Sequence, residues 1–247
     1  MGRTTGNLER RGRQRDVTIV VVLVVLALGL IGYLVLGATG GDDAAPPATP
    51  GQSADAGQPA VGPLGDIARR EKGDPAALGR TDAPVVMVAF SDYRCPFCAK
   101  FSRDTEQQLV DEYVQDGRLR IEWRDFPIFG PESTLAAQAG RAAAMQGRFW
   151  EFNTAVFADS PERAHPDLPE DTLVAYAEKV GVPDIAKFRT DMHGPEAAQA
   201  VQRDLDEGSA LGVPSTPAFV VNGHPLMGAQ PVAEFRAQID QALAATR

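Results

Sequence analysis

Pro84-Val85-Val86-Met87-Val88-Ala89-Phe90-Ser91-Asp92-Tyr93-Arg94-Cys95-Pro96-Phe97-Cys98 holds the only two cysteines of a 247-residue chain. Its first seven residues are a continuous apolar, Val-rich run, bounded by Asp82 and by Ser91-Asp92. A run that short predicts a strand buried on both faces rather than a helix. A helix follows directly. Pro96 suits its first turn, where a missing N–H leaves nothing unsatisfied, and Cys98, Phe101, Leu109 and Tyr113 then share one stripe. Cys95 stands at the helix N-terminus, where free N–H groups and partial positive charge favour a thiolate, and Cys98 is the buried partner one turn inside. Two thiols at this spacing can meet and cycle between dithiol and disulfide.

Toward the C-terminus, residues 119–126 alternate apolar and charged side chains, which predicts a strand with one wet face, parallel to the first through a right-handed crossover. The next segments read as helices at 133–145, around Phe149, Trp150, Phe152 and Phe157, and at 170–180, 183–192 and 195–211, the third and fifth ended by Gly181 and Gly212. Their aromatics read as core packing. Ala218-Phe219-Val220-Val221 is a strand, Asn222-Gly223 a type I′ hairpin turn, and His224-Pro225-Leu226-Met227 its partner strand. A closing amphipathic helix carries Val232, Phe235, Ile239 and Leu243 on one face.

Toward the N-terminus, residues 17–41 carry no charge and 17–36 are almost wholly apolar. About 20 residues at about 1.5 Å each span a hydrocarbon core of about 30 Å, so 17–38 is expected to be a transmembrane signal-anchor helix behind a cytoplasmic basic tail, 1–16. The alternative is a long signal peptide cut near Ala38-Thr39-Gly40. Arginines before the segment and Asp42-Asp43 after it orient a single-pass protein of the cell membrane with its N-terminus cytoplasmic and its main body extracytoplasmic. That compartment is oxidising. Residues 39–63 form a flexible Pro/Gly/Ala linker, and 64–83 an N-terminal extension of weak pattern that packs on the domain.

The net charge is −9; the five arginines of residues 1–16 against Glu9 and Asp16 make +3, leaving −12 on the remainder. An acidic body with its basic cluster confined to a tail excludes a nucleic-acid groove. His165, His193 and His224 lack the paired spacing of a metal site, so no metal is expected.

Three stretches carry a resemblance: Phe90 to Cys98 as quoted, Gly212-Val213-Pro214-Ser215-Thr216-Pro217, and Phe219-Val220-Val221-Asn222-Gly223. With the order strand, helix, strand, helical block, strand, strand, helix, the chain from about residue 84 resembles the DsbA-like thiol:disulfide oxidoreductases. The resemblance implies an α/β fold, a thioredoxin-like domain at 84–247 with an all-helical subdomain inserted at about 130–211. It implies that Cys95 and Cys98 are the catalytic pair, with Pro96 and Phe97 completing the motif. It further implies that Pro217 is cis beside the dithiol and that Thr216 offers backbone hydrogen bonds to an extended substrate segment. No cofactor is implied. The expected partners are unfolded exported cysteine-containing proteins and a quinone-linked membrane reoxidant of the DsbB or vitamin K epoxide reductase type.

The chain departs from the family at Ala89, six residues before Cys95, where a buried carboxylate commonly handles the proton of the inner thiol. Asp92 and Glu122 are acids that substitute for it through water, or else solvated surface groups. The expected activity is introduction of disulfides, a substrate thiolate attacking the exposed Cys95 sulfur. Phe97 brings no charge, which leaves the helix terminus and Arg94 to stabilise a Cys95 thiolate and keeps a reductase or isomerase of the same fold open. A non-catalytic thioredoxin-like binding module is the alternative of another class.

Overall fold

The computed structural model describes residues 61–246, in which the Val-rich run forms a central strand, β2 (Val85–Ser91), buried at every position. The basic tail at 1–16, the transmembrane helix at 17–38 and nearly all of the linker at 39–63 lie outside the described residues. Among the described residues no helix is long and apolar enough to cross a membrane. β2 pairs in parallel with β3 (Leu119–Asp125), from Val85 opposite Leu119 to Ser91 opposite Asp125. On its other side it runs antiparallel to β4 (Ala218–Val221), which turns back into β5 (His224–Met227). The turn residues Asn222 and Gly223 both have positive φ, 43° and 83°, as a type I′ turn requires. The sheet is completed by β1 (Ala77–Leu78), antiparallel to β3, in the order β1-β3-β2-β4-β5. The short β1 belongs to the extension, whose weak pattern does not announce a strand.

Helix α1 spans 96–114, with α-helical segments Pro96–Phe101 and Gln107–Leu109 alternating with wider π-type turns at Ser102–Glu106 and Val110–Val114. The expected stripe is buried: Cys98, Phe101, Leu109 and Tyr113 all face inward. The inserted subdomain contributes α2 (Pro131–Ala144), α3 (Phe149–Ala158), α4 (Glu170–Lys179), α5 (Ile185–Met192) and α6 (Pro195–Ala210), and the chain closes with α7 (Val232–Ala245). One core lies between the sheet and the α1/α7 layer, where the Phe101 ring meets Phe219 at 4.5 Å and Phe235 at 5.1 Å between centroids. A second core joins the α1 N-terminus to the insertion, with Tyr93 stacked on Phe157 at 5.4 Å, Phe149, Phe152 and Phe157 of α3 buried as expected, and Trp150 half-buried against it. The Ala-rich α2 lets the chain pack closely: a Cβ at Gly140 would come within 2.5 Å of the Tyr93 hydroxyl.

The expectation of a wet face on β3 is overturned. Arg120, Glu122 and Arg124 are only 3%, 0% and 0% exposed. Their face is covered by the extension and by α6, and their charges are answered there. Glu122 accepts from Arg120 at 2.8 Å, Arg124 at 2.9 Å and the backbone N–H groups of Arg69 and Arg70 at 2.9 and 2.8 Å. Burial pushes Glu122 up, but these donors outweigh it and hold the carboxyl at about 2. Arg69 reaches on to Asp204 and Glu207 of α6, and Arg141 of α2 bridges Asp125 and Asp204 at 2.5 Å each. Buried charges survive only when paired in this way.

Candidate active site

The loop after β2 turns through Asp92, whose carbonyl accepts from the Cys95 N–H at 3.0 Å. Cys95 then takes the N-cap position of α1 with extended backbone, φ −82° and ψ 117°, and its carbonyl accepts from the Ala99 N–H at 3.1 Å. Pro96 opens the helix and Cys98 follows one turn in. Both cysteines are free thiols.

The structure also brings the distant Thr216 and Pro217 to this point. The Thr216–Pro217 bond is the one cis peptide among the described residues, and the Cys95 thiol donates to the Thr216 carbonyl at 3.2 Å. Cys95 is only 2% exposed, so the expectation of an exposed sulfur is corrected. The sheltering comes from 121 residues away, through the same contact with Thr216. Phe97, by contrast, is 59% exposed and borders a cleft of about 460 Å³ between α1 and Glu162-Arg163 of the insertion.

The two thiols are electrostatically unlike. Cys95 is drawn down to about 6, first by a hydrogen bond with Cys98, against its own partial burial, and then by Thr216 and the backbone N–H groups of Cys98 and Phe97. The Thr216 hydroxyl has no other partner, so it can turn to a sulfur that has lost its proton. Cys98 is pushed well up by burial and by the neighbouring Cys95, while the Asp92 N–H and the Ser91 hydroxyl pull the other way. Such a pair suits exchange chemistry: one sulfur is a good nucleophile and leaving group, the other stays protonated until needed.

Of the two acids expected near the dithiol, neither is a solvated surface group. Asp92 is buried, which pushes it up against the pull of its donors; its carboxylate accepts from the N–H groups of Arg94 (2.8 Å), Ile128 (2.7 Å) and Phe129 (3.3 Å). It organises the loops. Glu122 pairs in register with Val88, on the opposite face of the sheet from the Ala89 and Trp123 pair that faces α1. Arg94 does not serve the thiolate either. Its guanidinium donates to the carbonyls of Pro166 and Phe129, both at 2.9 Å, and the His165 Nδ1 sits 2.7 Å from the Arg94 carbonyl. This clasp ties the insertion to the residue before Cys95, and single-residue patterns gave no sign of it. His165, His193 and His224 are exposed, and no grouping of metal-ligating side chains is present among the described residues.

A family model described as thioredoxin matches residues 71–241. The probable disulfide bond formation protein D of Bacillus cereus is 31% identical over 151 residues, which is 60% of this chain and 70% of that protein. Among solved structures, oxidised BdbD from Bacillus subtilis superposes with a TM-score of 0.66 at 24% identity, over 74% of this chain and 97% of its own. A thioredoxin-like oxidoreductase from Silicibacter pomeroyi does so with a TM-score of 0.59 at 28% identity, over 70% of this chain and 99% of its own.

Proposed function

The chain belongs to the thioredoxin family, among its DsbA-like protein disulfide oxidoreductases, and from that premise we propose that it is an oxidase that introduces disulfides into exported proteins. Cys95 and Cys98 are its redox pair, Pro96 and Phe97 complete the motif, and Thr216-Pro217 receives the substrate backbone. The observation that carries the reading is the asymmetry of the dithiol, with Cys95 at the N-cap position of α1 and drawn down to about 6, and Cys98 one turn behind it and pushed well up. A substrate thiolate attacks Cys95, the S–S electron pair leaves on Cys98, and a second substrate thiolate releases Cys95 as the stabilised leaving group. The substrate gains a disulfide and the enzyme becomes a dithiol.

Electrons then pass to a quinone-linked membrane protein of the DsbB or vitamin K epoxide reductase type. The uncharged run at 17–36, with arginines before it and Asp42-Asp43 after it, supports an anchored enzyme whose catalytic domain faces the exterior beside such a partner. A reductase of the same fold is the competing reading, favoured by the uncharged Phe97. The reduction potential separates them. An oxidase is expected nearer the value of about −120 mV than the thioredoxin value of about −270 mV, and a potential at the latter would sink the oxidase assignment.

A further inference from the structure

Each turn of dithiol–disulfide exchange moves a proton on or off Cys98, whose burial disfavours a lasting thiolate. The two acids expected to serve it are committed elsewhere: Asp92 to three backbone N–H groups, and Glu122 to arginines on the far face of the sheet. A third acid has no such commitment. Cys98, Ser102 and Glu106 follow one another at intervals of four along α1, and residues so spaced on a helix stand on one face with Cβ atoms about 5–6 Å apart. Ser102 donates to Glu106 at 2.9 Å. The Cys98 thiol has Cys95, the Asp92 N–H and the Ser91 hydroxyl as its direct partners, so the interval from Ser102 back to Cys98 is that of one bridging water.

Glu106 is only 9% exposed and Ser102 is its one hydrogen-bond partner. Burial pushes its carboxyl up to about 7 against the pull of Ser102, so it can take or give a proton near neutrality. The groups around it leave it in that state. Tyr93 faces it from the loop before α1 and is itself held protonated by burial. Arg103 of the same turn donates instead to the Phe157 and Ser160 carbonyls, and Lys100 pairs with Asp104. On α3, Glu151 is exposed and paired with Arg148, while Trp150 Nε1 and Asn153 Oδ1 are buried with no protein partner. That seam has polar capacity for internal water.

We propose that Glu106, acting through Ser102, exchanges the proton of Cys98. This rests on Cys95 and Cys98 being the redox pair. When the disulfide opens, the bond from the substrate sulfur to Cys95 forms, the Cys95–Cys98 bond breaks, and its electron pair stays on Cys98. Cys98 takes a proton from the Ser102 side, Glu106 replaces that proton, and a carboxylate remains. Ring closure runs the same steps backward, the carboxylate accepting the Cys98 proton as Cys98 attacks Cys95 and expels the substrate thiolate.

The test uses the full chain with Cys95 in a mixed disulfide with glutathione, and follows glutathione release from pH 5 to 9. The wild-type release rate is expected to rise through a limb near pH 7. Glu106→Gln and Ser102→Ala should each slow release at pH 7 by at least about tenfold and displace that limb upward, while the rate of Cys95 alkylation in the reduced protein stays unchanged. A wild-type limb in Glu106→Gln, or a parallel fall in Cys95 alkylation, overturns the relay. Failure of the wild-type protein to release glutathione at any pH overturns instead the redox pair on which the relay rests.

Discussion

At the residue scale, the chemistry turns on which sulfur carries the charge. The N-cap position alone would favour a thiolate at Cys95, but the largest pull on it comes from Cys98. A buried S–H one turn away is a donor aimed at the Cys95 sulfur. Cys98→Ala removes that donor and leaves Thr216 and two backbone N–H groups. The Cys95 titration should then move from about 6 up toward the ordinary thiol value of about 8.5. The pH dependence of iodoacetamide alkylation, or of thiolate absorbance, reads the midpoint directly. A midpoint that stayed near 6 would assign the thiolate to the helix terminus instead. The same variant cannot close its ring, so it should hold exported substrates in stable mixed disulfides through Cys95.

At the scale of elements, what could be read in advance depended on whether the signal was local. The Val-rich β2, the Pro96 helix start and the Asn222-Gly223 turn are each dictated by neighbours in sequence, and each stands where the pattern put it. β3 is the counter-example. Its alternation of apolar and charged residues is the pattern of a wet face, and nothing within ten residues says otherwise. The partners that bury that face, Arg69, Asp204 and Glu207, lie tens of residues away in either direction. The role of Glu106 was hidden for a similar reason: on α1 it looks like any surface glutamate until α3 packs over it.

The β3 lattice makes its own prediction. Asp204 is fully buried and answers both Arg69 and Arg141. Asp204→Ala leaves two guanidinium groups without their shared counter-charge, and breaking a buried pair in this way costs about 3–5 kcal/mol. Urea unfolding should show that loss, and a change below about 1 kcal/mol would mean the lattice is redundant. Glu122 adds a pH window. Its folded value of about 2 lies below the unfolded value of about 4.3. Its contribution is therefore present above the unfolded value and lost as pH falls through the folded one. Glu122→Gln should be less stable than wild type near neutrality and should converge on it between about pH 4.3 and 2.

For the whole molecule, the redox state and the stability of the fold are linked through the same sulfur. Cys95 is held at about 6 and Cys98 above the ordinary thiol value. Reduction of the disulfide therefore takes up two protons below about pH 6 and one proton above it. One proton changes the equilibrium tenfold per pH unit, which for two electrons is about 29.6 mV. The reduction potential should fall by about 59 mV per unit below pH 6 and by about 30 mV per unit above it. Folding carries the same proton count. The Cys95 value in the folded protein lies below the unfolded value of about 8.5. The thiolate therefore contributes stability that is fully present above the unfolded value and is lost as pH falls through the folded one. Cys98, held above its unfolded value, works in the opposite sense, but only above about pH 8.5 and by less than Cys95 contributes; groups outside the dithiol are common to both redox states and cancel. Melting the oxidised and reduced proteins at pH 9, 7 and 5 should show the reduced form losing ground to the oxidised form at each step down. A difference that held constant across that range would mean that Cys95 titrates as an ordinary thiol. The fold would then lend the dithiol no oxidising bias, and the oxidase reading would lose its driving force.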